Sequence, residues 1–286
     1  MIRLELQGGL GNQLFIWAMA HHLSQHFKRH VRIVYPLSAD TRIDRPCELE
    51  GLLKHCNHNI SLTTSKHLSL ATKFIDKLDS VRWLANIIKI ERFGIVTEKV
   101  ANSADINYVR APKLVRGYFQ NTKMVNSCTK QVHSELYSFL DSVQIPAKLQ
   151  NNSPNVVAHI RRGDTRNIAK EFGVLSLRYY MKHLGVDKSA VICTDEQSNL
   201  EEFYQEFPFA SIITPKDSNS WQTLKILSSA EKLVMANSTL SWWGAWMAVR
   251  RENTEIIFPI PWRPGETHTD DAIKLSNVVV ADSIFD

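Results

Sequence analysis

An apolar run leads directly into a charged loop in the stretch Val156-Val157-Ala158-His159-Ile160-Arg161-Arg162-Gly163-Asp164. A histidine, two adjacent guanidinium groups and an aspartate are poor material for a hydrophobic core. Arginine is always charged, and its forked donors match phosphate oxygens in a way that lysine cannot. Because ligands collect at the carboxyl ends of strands in open α/β sheets, the stretch predicts a site for the diphosphate of a nucleotide. The alternative is a surface pair of arginines that forms a salt bridge with the aspartate.

Short apolar runs alternate with helical patterns throughout the second half of the chain. The apolar runs cover residues 156–160, 190–193, 211–213, 233–236 and 255–258, and the helical patterns cover residues 177–183, 200–206, 223–229 and 242–251. This alternation predicts a parallel, doubly wound α/β sheet. Because a polar stretch lies between Pro146 and Pro154, we expect one domain at residues 1–150 and a second at residues 151–286.

The first half of the chain has a less regular pattern. Strands are predicted at residues 2–7, 31–35 and 115–119, and helical spacing covers residues 122–143. Residues 41–110 are the least readable part, although Phe74, Leu78, Val81 and Leu84 are spaced as in a helix.

A glycine-rich turn, Gly8-Gly9-Leu10-Gly11, follows the first predicted strand, and Asn12 is expected to cap a helix that runs to about residue 28. Gly9 and Gly11 would let a ligand approach the backbone, and the amides of Asn12 and Gln13 suit sugar hydroxyls or phosphate. Leu14 stands where a dinucleotide-binding fingerprint needs its last glycine. The alternative is an ordinary glycine turn.

Polar residues also follow the run 190–193. The hydroxyl of Thr194 and the carboxylate of Asp195 are placed to bind a ribose or a base, whereas the alternative is that Asp195 caps the next helix.

A third polar stretch opens the last predicted helix, in Asn237-Ser238-Thr239-Leu240-Ser241-Trp242-Trp243-Gly244-Ala245-Trp246. Hydroxyl and amide side chains and the first free N–H groups of a helix together form a cradle for an anion. The alternatives are simple N-capping for the serine and threonine side chains and core packing for the three tryptophans.

Bulk properties limit the function classes. The chain has 286 residues, a formal charge of +5 and 44% hydrophobic residues, which favours anionic partners and provides a full core. The four cysteines form no CxxC pair and there is no run of about 18 apolar residues, so we expect reduced thiols and no transmembrane helix. We expect a cytoplasmic protein that contacts the inner face of a membrane at most peripherally.

Metal chemistry has little support in the sequence. His22, His26 and His30 are spaced by four residues, and the stretch 55–58 holds two histidines and a cysteine, but no HExxH occurs. The chain also lacks an Asp-x-Asp motif, so we expect arginine and helix N–H groups, not a divalent ion, to neutralise a diphosphate.

Three blocks together carry a resemblance to a known family: GGLGNQLF at residues 8–15, HIRRGD at residues 159–164 and NSTLSWWGAW at residues 237–246. In this order they resemble the bacterial α-1,2-fucosyltransferases, relatives of the α-1,6- and protein O-fucosyltransferases. The resemblance implies an α/β fold of the GT-B type, with two Rossmann-like domains facing a cleft. It further implies GDP-fucose as donor, no metal or other cofactor, inversion at the anomeric carbon and a galactose-terminated glycan as acceptor.

The resemblance also implies roles for individual residues. Arg161 resembles the essential arginine that contacts the β-phosphate and the glycosidic oxygen, and Asn12 with the turn 9–11 would lie near the fucose and diphosphate. Asp164 is a candidate for the general base. The remaining donor contacts are expected from Gln13, His159, Arg162, Thr194, Asp195, Ser238, Thr239 and Ser241. By the same resemblance, residues 1–150 form the acceptor side and residues 151–286 bind GDP-fucose.

Other functions remain as alternatives. They are a fucosyltransferase of another linkage, a phosphoryl transferase that uses the same arginines, and a protein that binds nucleotides or glycans without catalysis. A nucleic-acid-binding module is not expected, because the basic residues are scattered and are not interleaved with aromatic ones.

Overall fold

The computed structural model of the protein describes residues 1–36, 46–56, 59–65, 95–97, 111–150, 154–163, 169–185, 187, 189–266 and 273–286. The helical spacing from Phe74 to Leu84 and the predicted base Asp164 lie outside the described residues. The chain forms two compact units, Met1–Leu136 and Tyr137–Asp286. This division falls before the polar stretch at residues 146–154, so residues 137–150 belong with the second unit.

The first unit contains a parallel sheet. Its elements are, in chain order, β1 (Ile2–Glu5), α1 (Leu10–Phe27), β2 (Val31–Pro36), α2 (Glu50–His55), β3 (Ile60–Ser65), β4 (Ile95–Thr97), β5 (Leu114–Arg116), α3 (Thr122–Ser127) and α4 (Thr129–Ser142), which continues past Leu136. The strands pair in the order β3-β2-β1-β5-β4. The strand order therefore reverses between β1 and β5, where crevices for ligands form in sheets of this kind.

Two sequence predictions in this unit were wrong in detail. Helix α1 begins at Leu10 with Gly9 as its N-cap, and no side chain caps it. Asn12 is therefore inside the first turn of the helix, and its side chain binds Gln120 instead. The predicted strand 115–119 ends at Arg116, because Gly117 and Phe119 take φ values of 154° and 55° that leave the extended conformation.

The second unit contains a larger parallel sheet. After a 3₁₀ turn (Ala147–Leu149), its elements are β6 (Val156–Ile160), α5 (Ala169–Phe172), α6 (Leu177–Leu184), β7 (Val191–Thr194), α7 (Leu200–Glu206), β8 (Ser211–Ile213), α8 (Ser220–Ser229), β9 (Lys232–Val234), α9 (Thr239–Ala248), β10 (Glu255–Ile260) and β11 (Val279–Asp282). The predicted parallel, doubly wound sheet is confirmed, with β11 as an unpredicted edge strand.

The strand order of this sheet identifies its ligand-binding edge. The order is β11-β10-β9-β6-β7-β8, which, read from β8, is the 3-2-1-4-5-6 order of dinucleotide-binding sheets. The reversal lies between β6 and β9, which pair directly through Val157 and Leu233. The charged loop from residue 161 follows β6, and the stretch 237–246 follows β9.

Core packing holds these two strands in place. Ala158, Ile160 and Val234 lie in one buried cluster with Tyr180 and Ile192. The tryptophans of α9 (Trp242, Trp243 and Trp246) are each at most 1% exposed, so they pack in the core, as the alternative prediction held. Helix α9 also lies tightly on α8, since a Cβ atom on Gly244 would be 2.5 Å from Leu227 Cβ.

Within the described ranges, none of the helices has both the length and the apolar character needed to cross a membrane.

Candidate functional site

Arg161 begins the loop that leaves β6 at the strand-order reversal of the second sheet. About a third of its side chain is exposed, and its Nε atom lies 4.0 Å from Asp195 Oδ2. The guanidinium is therefore partly exposed at the carboxyl edge of the sheet. This is the placement that a phosphate-binding arginine requires.

Arg162 is placed differently from its neighbour. Its side chain is 10% exposed, Nη2 is 2.8 Å from Asp286 Oδ2, and Nη1 is 3.7 Å from Glu202 Oε1. These ion pairs give Arg162 a structural role in the second unit. These ion pairs agree with the alternative of a salt-bridged arginine, and the contact between Arg162 and the donor stays a prediction.

Asp195 holds the loop that presents Arg161. Its Oδ1 atom accepts hydrogen bonds from the main-chain N–H groups of Arg162 (2.8 Å) and Gly163 (2.9 Å). A Cβ atom on Gly163 would lie 2.7 Å from the carbonyl oxygen of Asp195, so the close approach requires glycine. Asp195 does not cap the next helix, whose N-cap is Asn199. Its Oδ1 atom is occupied by these two main-chain hydrogen bonds.

Thr194 ends β7, and its side chain bonds to the main chain two residues further along. Its Oγ1 atom accepts a hydrogen bond from the Glu196 main-chain N–H at 3.1 Å, and the residue is 7% exposed. This bond shapes the turn after β7 and leaves the hydroxyl proton to be donated, so the contact of Thr194 with the donor stays a prediction.

His159 and Ser241 join the two strand ends at the reversal. His159 Nδ1 lies 3.0 Å from Ser241 Oγ, which also accepts a hydrogen bond from the main-chain N–H of Ala236 at 3.0 Å. The second bond explains why β9 ends at Val234 and not at Ala236 as predicted, because the Ala236 N–H is directed to a side chain. Ser241 is fully buried, so its expected contact with the donor is replaced by this internal role.

The His159 ring is uncharged at neutral pH. Burial, with a smaller contribution from the Arg161 guanidinium, lowers the pKa of His159 to about 3. Removing a cationic ring from water without a counter-charge disfavours its protonated form. His159 is therefore a neutral hydrogen-bonding group beside a permanent cation.

The start of α9 provides further donors. Ser238 is the N-cap in an extended conformation, but its side chain makes no capping hydrogen bond, so the simple N-capping alternative is wrong for this residue. Thr239 is half-buried in the first turn. The main-chain N–H groups of this turn have no partner within a helix, which is the arrangement that binds anions.

The sequence predicts the Asn237 amide as part of the anion cradle, whereas in the structure this amide bonds to main-chain carbonyl groups. Its Nδ2 atom donates to the carbonyl oxygens of Phe172 (2.8 Å) and Trp262 (3.2 Å). These bonds tie the loop after β9 to two other loops and thereby fix the start of α9. The sequence signal for Asn237 is an amide side chain directly after an apolar run.

In the first unit, Asn12 lies at the strand-order reversal between β1 and β5. Its Oδ1 atom accepts a hydrogen bond from Gln120 Nε2 at 3.0 Å, which leaves Nδ2 as the donating end of the amide. Gly8 has a φ of 76°, and a Cβ atom there would lie 2.6 Å from Asn12 Nδ2. Gln120 therefore holds the Asn12 amide, glycine at position 8 leaves room for it, and Asn12 is half-buried.

The other residues of the glycine turn divide into two roles. Gln13 is 1% exposed, its Nε2 donates to the carbonyl oxygens of Gly8 and Pro46, and its Oε1 accepts from the Glu48 N–H. The expected contact of Gln13 with the donor is thus replaced by a structural role. Around Gly9, by contrast, a Cβ atom would meet nothing within 4 Å, so the backbone there is open to a ligand, and Gly11 is buried in α1.

A buried ion pair at the same edge was not predicted. Glu5 ends β1 and Arg116 ends β5, with Arg116 Nε 2.9 Å from Glu5 Oε2 and side-chain exposures of 19% and 5%. The signal was a charged residue at the end of each apolar strand. The pair joins the strand ends that lead to helix α1, which carries Asn12, and to the loop that carries Gln120.

Among the described residues, no group of three or more His, Cys, Asp or Glu side chains is arranged to hold a metal ion. The histidines with metal-like spacing have other contacts: His22 Nδ1 is 2.7 Å from Ser127 Oγ, and His30 Nε2 is 2.8 Å from Ser61 Oγ.

Comparison with known proteins identifies a family that matches nearly the whole chain. The family model "Glycosyl transferase family 11" matches residues 1–280. The O-antigen biosynthesis glycosyltransferase WbnK of Escherichia coli is 24% identical over 91% of this chain and 94% of its own length. An alpha-1,2-colitosyltransferase of Escherichia coli is 24% identical over 90% of this chain and 91% of its own length.

A solved structure identifies the fold. The Se-Met fucosyltransferase NodZ from Bradyrhizobium matches 93% of this chain and 96% of its own, with a TM-score of 0.51 at 11% identity. Together with the two parallel sheets, this likeness confirms the predicted GT-B fold.

Proposed function

The chain belongs to glycosyl transferase family 11, and from this premise we propose that it transfers L-fucose from GDP-β-L-fucose to the 2-hydroxyl of a terminal galactose. The product has an α linkage, formed by a single displacement with inversion. The reaction uses no metal ion or other cofactor. The membership agrees with the family resemblance of the three sequence blocks.

The strongest support is the contrast between the two neighbouring arginines. Arg162 is tied to Asp286 and Glu202, whereas Arg161 keeps about a third of its side chain exposed at the carboxyl edge of β6. Arg162 thus joins distant parts of the second unit, and the partly exposed guanidinium of Arg161 lies at the sheet edge where ligands bind. A forked guanidinium at this edge suits a diphosphate better than any other ligand of a glycosyltransferase.

The proposed mechanism centres on the departing GDP. The bond between fucose C1 and the β-phosphate oxygen breaks with its electron pair passing to GDP, while the galactose oxygen forms a bond to C1 from the opposite face. Arg161 and the first N–H groups of α9 stabilise the charge that develops on the phosphate. The transition state resembles an oxocarbenium ion, and the proton of the acceptor hydroxyl passes to a base, for which Asp164 is our candidate.

Asn12 is proposed to act from the first unit. Its Nδ2 group is the donating end of a held amide, which suits a sugar or phosphate oxygen. We place the acceptor side in this unit and the GDP-fucose site in the second.

The relatives support a more specific acceptor. One is named for O-antigen biosynthesis and the other for α-1,2 transfer of colitose. We therefore propose an O-antigen type of glycan as acceptor and an α-1,2 linkage. The second name also favours one alternative, in which the sugar moved is colitose.

The test is transfer by the full chain in the presence of EDTA. GDP-fucose is offered with lactose and the two isomers of N-acetyllactosamine, in parallel with GDP-linked colitose, and products are measured by mass spectrometry. We expect a mass gain of one deoxyhexose, with linkage analysis placing it on the galactose 2-hydroxyl. Transfer from the colitose donor alone would replace fucose as the substrate, and loss of activity in EDTA would overturn metal independence.

A further inference from the structure

Ser241 and His159 form a hydrogen-bonded chain whose direction can be worked out. The main-chain N–H of Ala236 can only donate, so Ser241 Oγ accepts that bond at 3.0 Å. The hydroxyl then has one proton to place, and its neighbour at hydrogen-bond distance in the described residues is His159 Nδ1, at 3.0 Å.

The alternative direction is unfavourable. If His159 Nδ1 carried the proton and donated to Ser241, the hydroxyl proton would have no acceptor among the described residues. Ser241 is 0% exposed, so water cannot accept that proton, and a buried polar group without a partner is costly. The arrangement with every proton bonded has Nδ1 as acceptor and places the ring proton on Nε2.

The surroundings leave Nε2 as a donor. The ring is neutral, so only one nitrogen carries a proton. His159 is 3% exposed, and among the described residues its ring bonds to Ser241 through Nδ1. The residue stands one position before the end of β6, two positions from Arg161, at the strand-order reversal of the sheet.

We propose that Ser241 is a positioning residue that holds His159 as the Nε2–H tautomer, and that this N–H donates a hydrogen bond to an acceptor atom of the bound GDP moiety. The inference rests on the proposed function, because it takes GDP as the ligand of the second unit. It adds an uncharged donor to the cationic fork of Arg161. Because the His159 ring is neutral, its hydrogen bond adds no second positive charge that other groups would have to neutralise after GDP leaves.

The protonation state is measured directly by nuclear magnetic resonance. The full chain is labelled with ¹⁵N-histidine, two-bond ¹⁵N–¹H correlations report which ring nitrogen carries the proton, and His159→Gln identifies the signal. We expect Nε2 to carry the proton from pH 5 to pH 8, and we expect its signal to shift when GDP is added. A proton on Nδ1 in the wild-type protein overturns the inference, whether or not any variant folds.

Binding of GDP supplies the second measurement. Ser241→Ala removes the hydroxyl proton from Nδ1, and we expect GDP affinity to fall by roughly tenfold, with loss of the single-tautomer signal. Ser228→Ala is the matched control, because this half-buried serine bonds to the Lys225 carbonyl of its own helix, and the GDP affinity of this variant should equal that of the wild type. His159→Gln, whose amide nitrogen occupies the position of Nε2, should retain more affinity than His159→Asn, whose amide occupies the position of Nδ1.

The outcomes separate this inference from the proposed function. If the wild type binds GDP but Ser241→Ala binds it equally well and Nε2 does not respond, the inference is overturned and the proposed function stands. If the wild type does not bind GDP, the proposed function fails first and the predicted contact of Nε2 fails with it.

Discussion

Arg161 and Arg162 are adjacent in the chain, yet their surroundings assign them opposite tasks. About a third of the Arg161 side chain is exposed, and its Nε atom lies 4.0 Å from Asp195 Oδ2. Arg162 Nη2, in contrast, lies 2.8 Å from Asp286 Oδ2. Substitution at each position should therefore affect a different measurement. Two predictions follow from individual side chains.

Arg161→Lys keeps the charge and loses the bidentate fork. We expect kcat to fall by ~10²–10³, equivalent to about 3–4 kcal/mol of transition-state stabilisation, with an unchanged melting temperature. Arg162→Lys is the matched control, for which we expect a loss of about 1–2 kcal/mol of unfolding free energy, because its acidic partners are themselves half exposed. Near wild-type turnover of Arg161→Lys would contradict the placement of this residue on the diphosphate.

His159 should make folding sensitive to acid. Its pKa is about 3 in the folded protein and near 6.5 in the unfolded chain, so between these values the unfolded chain binds more protons. Stability therefore rises with pH through this window and is lost as the pH falls from about 6.5, by at most about 1.4 kcal/mol per pH unit. Chemical denaturation at pH 7, 6 and 5 should show a smaller slope for His159→Gln, and equal slopes for the two proteins would refute the buried neutral ring.

At the scale of elements, side-chain contacts join the segments that follow β1 and β5. The Glu5–Arg116 ion pair joins the strand ends, and Gln120 holds the Asn12 amide above them. Both loops leave the sheet at the reversal of strand order. A change in one loop should therefore be felt by a functional residue in the other.

Gln120→Glu tests this coupling. A carboxylate at this position cannot donate to Asn12 Oδ1, so the Asn12 amide should turn and direct Nδ2 toward it, away from the ligand. We expect kcat/KM to fall by roughly tenfold, the effect of losing one good hydrogen bond. Gln131→Glu serves as control, since Gln131 bonds to Gln25 on the exposed surface, and it should leave kcat/KM unchanged. An equal effect of both substitutions would contradict the role of Gln120.

For the whole molecule, ligand binding should be visible as stability. Any ligand that binds only the folded state stabilises it by mass action, and GDP at 100 times its Kd should add about 2.7 kcal/mol to the free energy of unfolding. We expect this gain to be the same in EDTA and in magnesium, because Arg161 and helix N–H groups are proposed to neutralise the diphosphate. Thermal unfolding measures it, and a gain that appears only with magnesium would contradict metal-independent binding.

The architecture of the molecule was largely predictable from local patterns. The runs 156–160 and 211–213 coincide with β6 and β8, and the pattern 200–206 coincides with α7. These elements are short, and their apolar spacing with the turns between them suffices to place them. The three blocks that carry the family resemblance were also visible without any structure, because each is continuous in sequence.

Partnerships between distant residues were decided only by the tertiary structure. Arg162 pairs with Asp286, Asn12 with Gln120, and His159 with Ser241, across 124, 108 and 82 positions. Residue types alone made all the polar candidates equivalent, since a hydroxyl, amide or guanidinium suits a ligand and an internal partner alike. Arg161 and Arg162 acquire different surroundings only when the sheets have formed. Hydrogen bonds and ion pairs depend on distances that local sequence does not encode.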